Sequence, residues 1–231
     1  MSTMIRVSTM IKVARYHLVT PVMFLGLPWA PLAGAFAVAL ARHTSHGGLV
    51  SIFLMFFVTG VLRIGGRWLP SGLALGATRR SFYAGTALLG VSMSLVSGLV
   101  IAGLQAIERA TGGWGLSVTF FRVPYLLDGP WYATWLTSFV GLSALFVYGM
   151  WYGIVNRRWG TLGLLAFLAV QVLVALAVAF ACSRAGVGPL RLRPAGQYPA
   201  TLSALDLTGV IAALTAVCLA GGHATIRGVT V

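Results

Sequence analysis

Long apolar runs alternate along this chain with short stretches that hold most of its charge. A helix that crosses a bilayer needs about 20 mostly apolar residues. Six runs approach that length: 19–40, 47–64, 82–105, 131–155, 160–182 and 204–222. The pattern predicts an all-α integral membrane fold with six transmembrane helices between residues 19 and 222. Pro21, Pro28 and Pro31 fall in the first run, so its helix is expected to kink or to start late. A basic lead and the Ala37-Val38-Ala39 triplet give this run the flavour of a signal peptide. It is too long for a signal core and five more runs follow, so it reads as an uncleaved first helix. The second run is short and ends at Arg63, whose long side chain can snorkel to the headgroups.

The polar positions orient the bundle, because basic residues favour the cytoplasmic side of short loops. With the N-terminus inside, Arg6, Lys12, Arg15, Arg63, Arg67, Arg79, Arg80, Arg157, Arg158 and Arg227 are cytoplasmic. Arg42, Arg109, Arg122, Arg184, Arg191 and Arg193 are then outside. Arg157 and Arg158 weigh most, since the pattern puts them in a four-residue turn between the fourth and fifth helices. Both termini are expected in the cytoplasm, the C-terminal tail covering residues 223–231. In residues 1–18, Met4, Ile5, Ile11 and Leu18 alternate with Arg6, Lys12 and Arg15. That suits an N-terminal amphipathic interfacial helix or a disordered basic tail that holds topology. Two outer loops are long. Residues 106–130 contain Glu108, a Gly112-Gly113-Trp114-Gly115 turn and the aromatics Phe120, Phe121 and Tyr125, and residues 183–203 contain Pro189, Pro194 and Pro199. Trp and Tyr favour the headgroup layer, so both loops suit the surface of the outer leaflet.

Composition agrees with this reading. Hydrophobic residues make up 58% of the 231 positions and charged residues 8%, with a mean hydropathy of +0.92. Soluble domains carry about 25% charged residues. The net charge of +13 comes from 16 Lys+Arg against 3 Asp+Glu. These cations are spread in small groups between apolar runs, as membrane anchors are, and form no patch of the kind that binds nucleic acid. Membrane lipid is the expected surrounding, and nucleic acid is not expected as a partner.

Side chains that could carry chemistry are sparse. Glu108, Asp128 and Asp206 are the only acids, and only Asp206 lies at the edge of a run. A proton- or sodium-coupled carrier usually places ionisable groups near the middle of the membrane. His43 and His46 could share a metal, but a site wants three or four ligands, so no metal is expected. Cys182 and Cys218 end apolar runs and read as packing residues. The only lysine, Lys12, stands in no Gly-rich phosphate loop, so ATP hydrolysis by this chain is not expected. The strongest periodic pattern concerns packing. Gly90, Ser94, Gly98 and Ala102 recur every four residues after Thr86, as do Ala133, Thr137 and Gly141 in the next run, where Gly149 also pairs with Gly153. Small residues at this spacing let helices approach closely, so the third and fourth helices are expected to pack through this seam. Two further features suit a translocation path. Phe53, Phe56 and Phe57 are expected to share one helix face by their i, i+3, i+4 spacing. Gln171 stands near the middle of the fifth run, where a polar side chain needs a partner or water. Core filling or lipid contact is the alternative for the phenylalanines, and an interhelical hydrogen bond for Gln171.

The most informative segment joins the second and third runs. Pro70 and Ser71 are helix-start signals, and Leu73 to Thr78 are expected as a short helical turn along the membrane surface. Arg79 and Arg80 mark the interface where the third helix begins. Here the chain resembles the permease subunits of ABC-2-type exporters, particularly the actinobacterial type. In that family the first cytoplasmic loop carries a Leu-Gly-x-Thr-Arg-Arg-x-Phe stretch leading into the third helix. This chain has Leu75-Gly76-Ala77-Thr78-Arg79-Arg80-Ser81-Phe82. Gly113-Trp114-Gly115 and the aromatics after it also resemble outer loops of such permeases. The position after the paired arginines is often acidic in the family, whereas Ser81 offers no charge.

The resemblance implies a permease that is not itself an enzyme and holds no cofactor. It would pair with a second permease, identical or related, above two soluble ATPase chains that bind ATP and magnesium. The loop of Leu73, Leu75, Gly76, Ala77, Thr78, Arg79 and Arg80 would receive the ATPase. Phe53, Phe56, Phe57 and Gln171 would border the path of an amphipathic substrate. A secondary carrier is the alternative, disfavoured by the lack of acids. A non-transport membrane assembly protein or membrane-embedded enzyme is the other, and no His, Asp and Cys set speaks for an enzyme.

Overall fold

The computed structural model describes residues 26–43, 48–66, 68–74, 78–123, 127, 129–184 and 204–226. The expected interfacial segment 1–18, His46, Leu75, Gly76, Ala77 and nearly all of the 183–203 loop lie outside the described residues. Those described are helical, with no strand among them.

The chain forms α1 (Leu27–Arg42), α2 (Val50–Gly65), a short α3 (Trp68–Ala74) and α4 (Arg79–Ala110). An irregular turn, Gly113–Ser117, leads on to the stretch Trp131–Arg184, and α7 (Ala204–Thr225) follows. Gly160 breaks the long stretch with φ 65 and ψ −162, a conformation essentially reserved for glycine. We therefore label residues 131–159 α5 and residues 161–184 α6. The two run antiparallel, since Phe167 stacks on Trp151 and Gln171 meets Tyr148 and Tyr152. Arg157 and Arg158 thus belong to the last turn of α5 and not to a four-residue connection. The reversal needs one glycine because Gly160 supplies the whole change of direction.

Arg79–Ala110, Trp131–Val174 and Ala204–Thr225 are each long and apolar enough to cross a membrane. The helices α1 and α2 are apolar but only 16 residues long. This is a membrane protein by the character of its helices. Many outward side chains are large and apolar, among them Leu162 at 81% exposure and Val217 at 69%. Pro28 sits in the first turn of α1, where its missing amide hydrogen costs nothing.

Helix α4 begins three residues earlier than the apolar run suggests. Thr78 is extended (φ −76, ψ 152) and its hydroxyl accepts from the Ser81 amide over 3.1 Å, so it caps the helix and brings Arg79 and Arg80 into its first turn. Of the helical turn expected at Leu73 to Thr78, Leu73 and Ala74 end the short helix Trp68–Ala74, Thr78 caps α4, and the three residues between lie outside the described ones.

Helix α5 is the centre of the bundle, packing against α2, α4, α6 and α7. Its closest approach is to α2. A Cβ on Gly153 would stand 2.8 Å from the Gly65 amide nitrogen, and one on Gly60 would strike the Phe146 carbonyl. Gly60 and Gly65 are thus the counterpart of Gly149 and Gly153, and no four-residue repeat marks them in the sequence. Against α4, the Phe146 ring fills the space that Gly90 leaves open.

Candidate functional site

Helix α3 links α2 to α4 at the end of the bundle that also carries Arg157 and Arg158. Leu69 is fully buried, Gly72 lies against the ring of buried Phe82, and Leu73 packs on the core. The apolar face of α3 is thus turned into its own bundle. Of the expected docking set, Leu73 is partly buried against this core, and among the described residues of the connection Ser71, Ala74 and Thr78 are exposed. Arg79 and Arg80 stand half-buried at the start of α4.

A polar cluster lies inside the apolar helices. The hydroxyls of Tyr148 and Tyr152 both donate to Gln171 Oε1, over 2.5 and 2.8 Å. Phe57 packs on both tyrosine rings, at 5.9 and 5.2 Å between centroids, and Phe167 stands edge-on to Tyr152 at 5.3 Å. The expected partners Phe57 and Gln171 are brought together, through two tyrosines that the sequence pattern did not single out. Their i, i+4 spacing at the right distance from Gly160 was the signal available.

Phe53 lies against Gly141 of α5 and Phe57 against Tyr148 and Tyr152, while Phe56 lines a small recess with Pro28, Thr59, Met93 and Phe146.

Gly90, Ser94, Gly98 and Ala102 are all buried along one face of α4. A Cβ on Gly98 would stand 3.0 Å from the Phe139 amide nitrogen of α5. The small residues of α5 serve other neighbours: Gly141 meets Phe53 of α2, and the Thr137 hydroxyl bonds Thr208 of α7 over 3.0 Å. One stripe therefore receives backbone and rings rather than a matching stripe.

At the opposite end of the bundle Glu108 is buried, at 2% exposure. Its carboxylate accepts four N–H groups, from the Trp114 indole and the Phe120, Phe121 and Arg122 amides, over 2.9 to 3.2 Å. Trp114, Phe120 and Phe121 enclose Phe36 of α1. Arg109 donates to the Gly129 carbonyl over 2.9 Å, and the Gln105 amide to that of Leu127. This carboxylate organises the connection that the sequence left as a surface loop, and four donors on one group fit a fixed structural anion. His43 is the left-handed C-cap of α1. Among the described residues no three metal-ligating side chains gather.

Comparison of the chain with protein-family models, curated proteins and solved structures finds no match.

Proposed function

We propose that the chain is the permease subunit of an ATP-driven ABC-2-type exporter, working beside a second permease and energised by a separate ATPase. The observation that carries this reading is the connection between α2 and α4. A short helix, Trp68–Ala74, precedes a Thr78-capped start bearing Arg79 and Arg80, and the stretch Leu75–Phe82 resembles the first cytoplasmic loop of that family.

In this reading α1, α2, α4, α5, α6 and α7 are the six spans. The sixteen residues of α1 and α2 rise about 24 Å, so both need local thinning of the ~30 Å hydrocarbon core. The end bearing Arg63, Arg79, Arg80, Arg157 and Arg158 faces the cytoplasm, and both termini with it. The ATPase meets the exposed side of α3 and the residues up to Thr78. The substrate, an amphipathic molecule, passes beside Phe57, Tyr148, Tyr152 and Gln171. A carrier driven by an ion gradient is less well supported. Among the described residues the buried charged side chains, Arg63 and Glu108, lie at opposite ends of the bundle and not at its middle.

Affinity purification of the tagged chain from its native membranes tests the reading. An ATP-hydrolysing chain should co-purify, and changing Leu75 and Ala77 to Asp should release it while leaving the permease folded. Purification of a folded chain with no nucleotide-hydrolysing partner sinks the proposal.

A further inference from the structure

Gln171 is the only polar side chain of α6 between Thr161 and Cys182. It stands about 16 Å along the helix from the turn at Gly160, near the middle of a ~30 Å hydrocarbon core. A polar group at that depth is costly unless it meets a partner. Half of this one is met. Its Oε1 accepts from the hydroxyls of Tyr148 and Tyr152 over 2.5 and 2.8 Å, which uses both lone pairs of the oxygen. Among the described residues the only other partner of either hydroxyl is its neighbour, over 3.4 Å. The two tyrosines therefore hold the oxygen toward α5 and turn the amide nitrogen away from it.

That nitrogen is the other half. It carries two N–H donors, and among the described residues nothing accepts from them. Nor is it shut in. The buried side-chain atoms left without a partner belong to Arg80, Thr134, Ser138 and Ser143, whereas Gln171 is half-buried. Rings surround the amide. Tyr152 is nearly perpendicular to Phe57, Tyr148 and Phe167, at 71 to 78° and 5.1 to 5.3 Å between centroids. Such edge-to-face contacts engage ring faces that could otherwise hold a cation. Formal charge is distant too, since α5 and α6 carry theirs only at their ends, as Arg157, Arg158 and Arg184, and α2 has Arg63 in its last turn.

We infer that this cluster binds an uncharged, largely apolar molecule through a carbonyl oxygen. The oxygen accepts from Gln171 Nε2, and the apolar body lies against Phe57 and Phe167. Gln171 is the binding residue, and Tyr148 and Tyr152 are positioning residues that act through it. An ion would leave water for a place with no opposite charge, and a molecule without an acceptor would leave the amide unmet. Calling that molecule the cargo rests on the proposed export function; the binding itself does not.

The test uses the full chain in dodecyl maltoside, a detergent without a carbonyl group, irradiated with para-decylbenzophenone, whose excited ketone inserts into neighbouring C–H bonds. Mapped by mass spectrometry, the label should fall around Gln171, on α2, α5 and α6. Decyl phenyl ketone should suppress it at roughly a tenth of the concentration that undecylbenzene needs, the worth of about one hydrogen bond. Gln171→Leu should bring the two competitors level. Tyr148→Phe with Tyr152→Phe keeps Gln171 but frees its amide to turn, and should narrow the gap. Should a variant fail to fold, the wild-type competition and the position of the label still decide. Label scattered along the helices, equal competition in the wild type, or a ketone preference that survives in Gln171→Leu overturns the inference. So does stronger competition by para-decylbenzyltrimethylammonium than by the ketone, which would mark a cation site. Competition by ester-linked but not ether-linked phosphatidylcholine, as strong as that of the ketone, would give the site to bulk lipid and overturn it too. An ATPase that co-purifies with a chain lacking the preference sinks this inference alone. A preference in a chain with no ATPase leaves the site and removes the export reading.

Discussion

Arg157 donates from Nε to the carbonyl oxygen of Ile64 over 2.8 Å, and a second guanidinium nitrogen reaches the carbonyl of Gly66. The last carbonyls of a helix have no partner within it and carry partial negative charge. A guanidinium reaching in from α5 satisfies the Ile64 carbonyl of the last turn and that of Gly66, the extended residue capping α2, and ties the two helices together.

Arg157→Gln should therefore cost ~1–3 kcal/mol, read as a drop of several degrees in the thermal midpoint of the purified protein. Arg158→Gln removes the same charge from an exposed side chain and should change the midpoint little. Equal losses would show that the charge alone matters and that the cap has no energetic weight.

Gly98 and Gly103 both lie on α4, yet a Cβ at Gly103 would meet nothing within 4 Å. Gly98→Leu must push α5 away, whereas Gly103→Leu extends into open space. Gel filtration of the two variants should give a much lower folded yield for the first. Matching yields would remove the α4–α5 contact from the list of forces that hold the bundle.

Glu108→Ala takes the common acceptor from four N–H groups, and each donor left buried costs ~1–3 kcal/mol. Glu108→Gln keeps one oxygen and turns an amide toward a donor, so it should be milder but still damaging. Limited proteolysis should then cut between residues 111 and 122, where the wild-type chain resists. Resistance in both variants would mean that the aromatic packing on Phe36 suffices.

Gln171→Leu deletes both hydroxyl contacts between α5 and α6. Hydrogen bonds between membrane helices are worth ~0.6–2 kcal/mol each, so the variant should fold with a modestly lower midpoint. Under the proposed export function it should also alter substrate-stimulated ATP hydrolysis of the complex, as should Tyr148→Phe with Tyr152→Phe. Lower folded yield with unchanged stimulation would leave Gln171 a purely architectural role.

The apolar runs were legible because they are a matter of composition alone, and their positions survive in α1, α2 and α4 to α7 with shifted ends. The shifts have local causes that hydropathy does not weigh. Thr78 caps α4 through Ser81, and Gly160 turns the chain without any polar loop to announce it. The Gly98 contact was readable from a four-residue repeat, while Gly60 and Gly65, five apart, follow no such rule. Glu108 was visible as a rare acid, but its donors come from Trp114 and from backbone amides 12 to 14 residues on. Backbone donors leave no trace in side-chain patterns. Tyr148 and Tyr152 looked like two more aromatics in an apolar run until the hairpin at Gly160 set Gln171 beside them.

That hairpin also governs how the chain can be made. Under the proposed topology, the single residue between α5 and α6 leaves no loop to hold one helix back while the other crosses, so the pair is expected to enter a bilayer as one doubled-back unit, with Gln171 beside both tyrosines.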